Sequence, residues 1–245
     1  GVQTCALPIY SLKLARSDTY HGTKTASQAI EFMQYSDADA LSKALTDGSL
    51  DMAAPVSAST ATGLNGKDGL AVKEGATTDK VLLAYNNGTD SLLSDEQARK
   101  AFRYQIDAAG IASAQPDAAG ALGGPISPLE PGYEDLTGLY PHDENQAGQM
   151  FSYFGAQYLT TVNLVVPEEY RSLAETIKQQ IERQPRPTVN LEVLSDEDYA
   201  KRIKDGKWEL TVMSMDGTDD AGIFADPDSM FHYDHTEAQQ AYARS

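Results

Sequence analysis

The sequence has one cysteine, one tryptophan and only 19 Lys and Arg in 245 residues. A single thiol, Cys5, cannot close an internal disulfide. No run of about 18 apolar residues occurs, so no segment reads as a membrane-spanning helix. The scarce bases face 36 Asp and Glu, which leaves a net charge of −17. Such a chain repels a phosphate backbone, and no Lys/Arg cluster offsets the repulsion. Nucleic acid is therefore disfavoured as a partner, and anionic membrane surfaces for the same reason. Catalytic signatures are missing too: there is no G-x-S-x-G, no H-E-x-x-H, no phosphate loop and no G-x-G-x-x-G. Gly123-Gly124 lies in a Pro-rich stretch and opens no helix, so it forms no phosphate cradle.

Residues 1–9, GVQTCALPI, match the in-frame translation of a common sequencing adapter. On that reading they are not native, the native chain begins near Tyr10 without any cysteine, and the gene is truncated. Cysteine avoidance fits an extracytoplasmic bacterial protein. A missing signal peptide then says nothing about location.

Hydrophobic residues at 41% and charged residues at 22% are ordinary for a globular protein, which sets disorder aside. The length suits one large or two modest domains. Alternation predicts strands at 10–14 and 29–34, with shorter extended stretches at 50–53, 70–74 and 81–86. Ser36 is the expected cap of a helix through Asp47, and the S-x-x-Q box at Ser94 that of a helix through Ile106. Residues 113–143 are rich in Gly, Pro and Ala. Their length favours a packed functional loop over a simple connector. A helix is expected at 145–154. The pattern then turns regular: TVNLVV at 161–166, a helix over 170–181, TVNLEV at 188–193, a short helix capped by Ser195, and a strand at 208–215. Strand–helix–strand–helix–strand predicts a parallel sheet with right-handed crossovers.

The carboxyl end of that last strand opens on Asp216, Asp219, Asp220, Asp226 and Asp228. Ligands of open α/β sheets bind at such ends, and acids there suit a cation, a metal or a hydroxyl-rich ligand. The competing reading is a solvated turn in an acid-rich chain. The calcium-loop order is absent. His232, Asp234 and His235 lie close in sequence but offer no third ligand at a fixed position, so no metal or cofactor is expected. The 13 tyrosines are mostly core material, with some able to stack on a ligand.

Several stretches together resemble one family, the extracytoplasmic solute-binding proteins of peptide/nickel-type ABC transporters (solute-binding family 5). YSLKL at 10–14, IEF at 30–32 and the run from Asp37 to DMA at 51–53 follow its order. The most specific likeness is LLAYNN at 82–87 followed by LSDEQARKAFRYQID at 93–107, where Arg99, Ala101 and Asp107 take the family's motif positions. GPISP at 124–128, YPHD at 140–143, Ala147 and Gly155 resemble its long loop and following helix. Residues 192–215 resemble its last crossover into the binding-site strand. The family often places an aromatic residue and then Asp after that strand. Here the chain reads Met215-Asp216-Gly217-Thr218-Asp219, with an Asp-Pro pair displaced to Asp226-Pro227.

The resemblance implies an α/β, two-lobed periplasmic-binding-protein type II fold with the first lobe incomplete. Residues 10–87 would be part of lobe one. Residues 88–245 would be most of the second lobe, truncated at the C-terminus, with a hinge near 83–87. It implies a non-enzymatic protein that captures peptides or a similar small solute for a membrane permease, outside the cytoplasm, in the periplasm or as a lipoprotein. Ligand-binding positions would be Tyr85, Asn86, Asn87, Ser214, Met215, Asp216 and Asp219. An acid-pair hydrolase and a non-catalytic adhesive domain are the rival readings; the first needs two carboxylates facing each other across a cleft.

Overall fold

A computed structural model describes residues 11–153, 160–217 and 220–244. The expected adapter segment therefore lies outside the described residues. The chain divides into two compact units, Gly1–Glu74 and Gly75–Ser245.

The first unit holds a hairpin. β1 (Ser11–Ala15) pairs antiparallel with β2 (Ala29–Met33), with Leu12 opposite Phe32 and Leu14 opposite Ile30. Directly opposed residues share a face. These four side chains thus form one apolar patch, each 50–58% exposed. α1 (Ala38–Thr46) and α2 (Ala58–Leu64) follow, with Ala44 and Leu64 buried. The cap of α1 is Asp37, not Ser36: its carboxylate accepts from the Ala40 N–H at 2.7 Å. Ser36 instead donates to Asp37. An ionised acceptor makes the stronger bond to an orphan N–H. The extended stretch expected at 70–74 forms no strand.

The second unit is built on a four-stranded sheet in the order β3-β6-β4-β5. β4 (Thr161–Pro167), β5 (Thr188–Leu194) and β6 (Leu210–Met215) run parallel, as the alternating pattern predicts. A 3₁₀ turn (Glu168–Tyr170) and α6 (Arg171–Ile181) connect β4 to β5, and α7 (Asp196–Lys204) connects β5 to β6. β3 (Lys80–Tyr85) joins the edge antiparallel to β6, pairing Lys80 with Met215 and Tyr85 with Leu210. The expected lobe boundary after Asn87 does not coincide with the division at Glu74–Gly75. β3 and the residues after it are bonded into the larger unit, and Leu83 and Tyr85, at the expected hinge, pack on its core.

β4 is interior and covered on both faces, which explains its nearly continuous apolar run. Val162, Leu164 and Val166 face a core shared with α3 (Glu96–Gln105), α5 (Glu144–Tyr153) and α6. Val165 faces the other side with Ala84, Trp208 and Phe231. Val162, Leu164, Val165 and Val166 are fully buried, at about 1.5–3 kcal/mol per side chain. α3 is capped by Asp95 rather than Ser94, again the acid beside the serine. Ser195 does cap α7, and Leu194 and Tyr199 share its flanking cluster. The family-like positions of α3 have structural work: Ala101 is fully buried, Arg99 donates to the Leu93 and Ser94 carbonyls, and Asp107 caps α4 (Ala108–Ser113). Residues 114–143 form no regular element; most are exposed, with Ser127 buried and residues 121–126 partly buried. A Cβ on Gly123 would lie 2.1 Å from the Leu136 carbonyl carbon. α8 (Asp220–Ala225) and α9 (Thr236–Tyr242) complete the unit.

Candidate functional site

The carboxyl end of β6 opens into a cleft of about 510 Å³. Met213, Ser214 and Met215 line it from β6, and Asp216 from the turn beyond. Because β3 runs antiparallel, its N-terminal end meets this same end of β6, and Asp79 joins the lining. α8 contributes Asp220 and Ile223, and the segment after it Met230 and Phe231. Three carboxylates thus face three flexible thioethers, an isoleucine and a phenylalanine. No Lys or Arg is among these lining residues.

Behind the cleft lies a buried ion triad. The Lys80 side chain is 1% exposed, Asp220 2% and Glu130, from the long loop, 7%. The Lys80 ammonium donates to Glu130 Oε2 and sits 2.7 Å from Asp220 Oδ2. That second approach is an ion pair off the line of a hydrogen bond, so Asp220 Oδ2 keeps no aligned donor. Glu130 is held in turn by the Ser127 N–H at 2.7 Å. Burial pulls the ammonium toward its neutral form. The contacts and charges of Asp220 and Glu130 outweigh that pull and raise the Lys80 pKa. For Glu130 burial again opposes, and Lys80 with the Ser127 N–H holds the carboxyl below its ordinary value.

The turn after β6 is fixed by its neighbours. Thr78 Oγ1 donates to the Asp216 carbonyl. Gly217 has φ +81°, and a Cβ there would lie 2.4 Å from the Thr78 Cβ. Only glycine fits both the backbone angle and the approach.

Of the residues expected at the site, Ser214, Met215 and Asp216 line the cleft. Asp219 lies outside the described residues. Tyr85, Asn86 and Asn87 lie elsewhere. Tyr85 pairs with the start of β6, five steps from its end, or roughly 17 Å at the rise of a strand. Its ring packs on the main core, 6.3 Å from Phe102 between centroids. Burial pushes the phenol up to about 12, against the opposing pull of Arg103 and Arg99. Asn86 is buried and donates to the Gly206 and Trp208 carbonyls, while its oxygen accepts from Gly88. Asn87 donates to the Tyr85 and Phe231 carbonyls. The Asn86 amide closes the residues leading into β6, whereas Asn87 holds the backbone of Phe231, a residue that lines the cleft.

The solvated-turn reading fails for Asp220, which is buried. Sequence reasoning missed Asp79, Lys80 and Glu130. The usable signal was Lys80, a lysine opening an apolar strand, since a buried ammonium requires buried counter-charges. Asp228 is exposed and its N–H donates to Asp226. His235 caps α9, and among the described residues no trio of His, Cys, Asp or Glu is placed to hold a metal.

The profile of the bacterial extracellular solute-binding proteins, family 5 (middle), matches residues 8–240. No curated protein matches the chain. Among solved structures, the chain is similar to the oligopeptide-binding protein AppA from Bacillus subtilis in complex with a nonapeptide. The TM-score is 0.66 at 16% identity, over 96% of this chain and 52% of that one. NikA from Brucella suis in complex with Fe(III)-EDTA gives 0.69 at 17% identity, over 93% and 50%. The ABC transporter substrate-binding protein CtaP from Listeria monocytogenes gives 0.71 at 15% identity, over 96% and 50%. These likenesses show the fold, the periplasmic-binding-protein type II fold. The chain spans about half the length of each of these structures.

Proposed function

The chain belongs to the bacterial extracellular solute-binding proteins of family 5, and from that premise we propose that it captures peptides or a similar small solute for an ABC importer. The family is one of binding proteins, not catalysts, which displaces the acid-pair hydrolase reading. The observation that carries the proposal is the cleft at the carboxyl end of β6, lined by Asp79, Asp216 and Asp220 together with Met213, Met215 and Met230. Carboxylates attract an ammonium, and closure over the ligand would desolvate Asp79 and Asp216, which are exposed here. Methionines adapt to apolar side chains of varied shape, as a binder of mixed solutes requires. Closure of two lobes on the solute, with the closed form presented to a membrane permease, is the functional cycle this reading entails. Its place is outside the cytoplasm, in the periplasm or on the cell surface as a lipoprotein.

The test is calorimetry on the full-length protein with amidated peptides bearing a free amine or an N-acetyl group. Asp216→Asn is expected to weaken the free-amine peptide roughly 30-fold, from a loss of about 2 kcal/mol at 1.4 kcal/mol per tenfold. The acetylated peptide should bind less well to the unsubstituted protein and lose almost nothing further in the variant. Equal binding of both peptides to both proteins would remove the ammonium from the reading. Binding of neither would remove peptides from the reading.

A further inference from the structure

Resting on the ligand-binding reading above, we propose that Glu130, which does not line the cleft, sets the cleft's preference for a cationic over a neutral ligand. One ammonium and two carboxylates, all almost wholly buried, sum to −1. Only Asp220 of the three reaches the cleft. Lys80 spends its aligned hydrogen bond on Glu130, which the Ser127 N–H holds in place. Asp220 receives the nearby charge but no aligned donor. Its carboxylate is therefore incompletely neutralised, and the net charge of the triad lies buried in the cleft wall. Were Glu130 neutral, the whole Lys80 charge would be left to Asp220, 2.7 Å away, and would cancel it. The cleft would then keep its shape and lining while losing much of its pull on a cation. Glu130 is thus a positioning residue acting through Lys80. It also ties the long loop of residues 114–143 to ligand charge.

The experiment compares amidated trileucine with its N-acetyl form by calorimetry on the full-length protein, and reads the ratio of their affinities. Glu130→Gln should lower the free-amine preference roughly tenfold, the scale of one elementary charge acting across a few ångströms of partly screened protein. Affinity for the acetylated peptide should stay where it was. Glu130→Asp keeps the charge and should keep the preference. The double variant Lys80→Met with Glu130→Gln returns the triad to −1 and should regain it, which tests the idea even if the single variant folds poorly. An unchanged ratio in Glu130→Gln overturns the proposal, as does an equal weakening of both peptides, the mark of a merely structural role. Those results leave the binding function standing. Unsubstituted protein that binds neither peptide overturns the proposal and the peptide reading together.

Discussion

The Asn86 side-chain amide donates to the Trp208 carbonyl at 2.9 Å, joining the end of β3 to the residues that lead into β6. A second bond to the Gly206 carbonyl and a return bond from the Gly88 N–H use the rest of the amide. Asn86→Ala would strand buried carbonyls, at about 1–3 kcal/mol for each unsatisfied group. Urea titration should show this loss. Peptide affinity of the folded protein should not change, because the clasp and the cleft lie at opposite ends of β6. A selective loss of affinity without loss of stability would return Asn86 to the binding site.

Lys80→Met should be the most damaging single change in the triad. It leaves Glu130 and Asp220 buried together without a cation, and breaking a buried pair in this way costs about 3–5 kcal/mol. Glu130→Gln leaves a neutral Lys80–Asp220 pair and should cost clearly less. Chemical denaturation of the two variants checks the order. A milder Lys80→Met would mean that the triad is solvated.

Stability should fall at both ends of the pH scale. Glu130 titrates below its ordinary 4.5, so the folded state stays ionised where the unfolded chain takes up a proton. Its contribution is present above pH 4.5 and is lost as pH falls through the folded value. Lys80 is raised above 10.5, so its contribution is present below that pH and is lost on going higher. Tyr85, at about 12 against an ordinary 10.0, keeps its proton where the unfolded chain gives it up, and adds to the alkaline loss between those values. Tyr85→Phe should flatten the alkaline limb, and Glu130→Gln the acid limb, in melting curves taken across pH. Unchanged limbs would show that neither group is perturbed by folding.

Gly217→Ala places a Cβ into the Thr78 side chain at a φ of +81°. The backbone strain alone is about 1–3 kcal/mol. Because the turn carries Asp216, the variant should lose peptide affinity as well as stability. The double variant with Thr78→Gly, which removes the Cβ and Oγ1 that the new methyl meets, should recover part of the stability. Full stability in the single variant would mean that the turn tolerates another shape.

The patch of Leu12, Leu14, Ile30 and Phe32 should bind a hydrophobic dye. Leu14→Ser with Phe32→Ser should lower dye fluorescence without changing the melting of the larger unit, since all four side chains are at least half exposed. A large drop in that melting temperature would show that the patch packs on something.

Much of the fold is legible along the chain because local rules dictate it. The parallel strands β4, β5 and β6 and the helices between them follow from apolar runs, helical spacing and breakers such as Pro185 and Gly206. The family resemblance is carried by stretches whose roles are local: Arg99 closing the start of α3, Asp107 capping α4. Cap identity at Asp37 and Asp95 missed by one residue, because Ser and Asp stand side by side and only geometry selects the acceptor. Ser214, Met215 and Asp216 could be placed at a site because the carboxyl end of a parallel strand is where side chains meet open space. What the sequence could not determine is which strand lies beside β6, and in which direction. That pairing joins residues more than a hundred positions apart and leaves no periodicity in either partner. It alone carries Lys80 to Asp220, sends Tyr85, Asn86 and Asn87 to the far end of the sheet, and brings Glu130 in from a loop with no regular pattern. A buried charge needs its counter-charges close by, and tertiary packing decides where in the chain they are found.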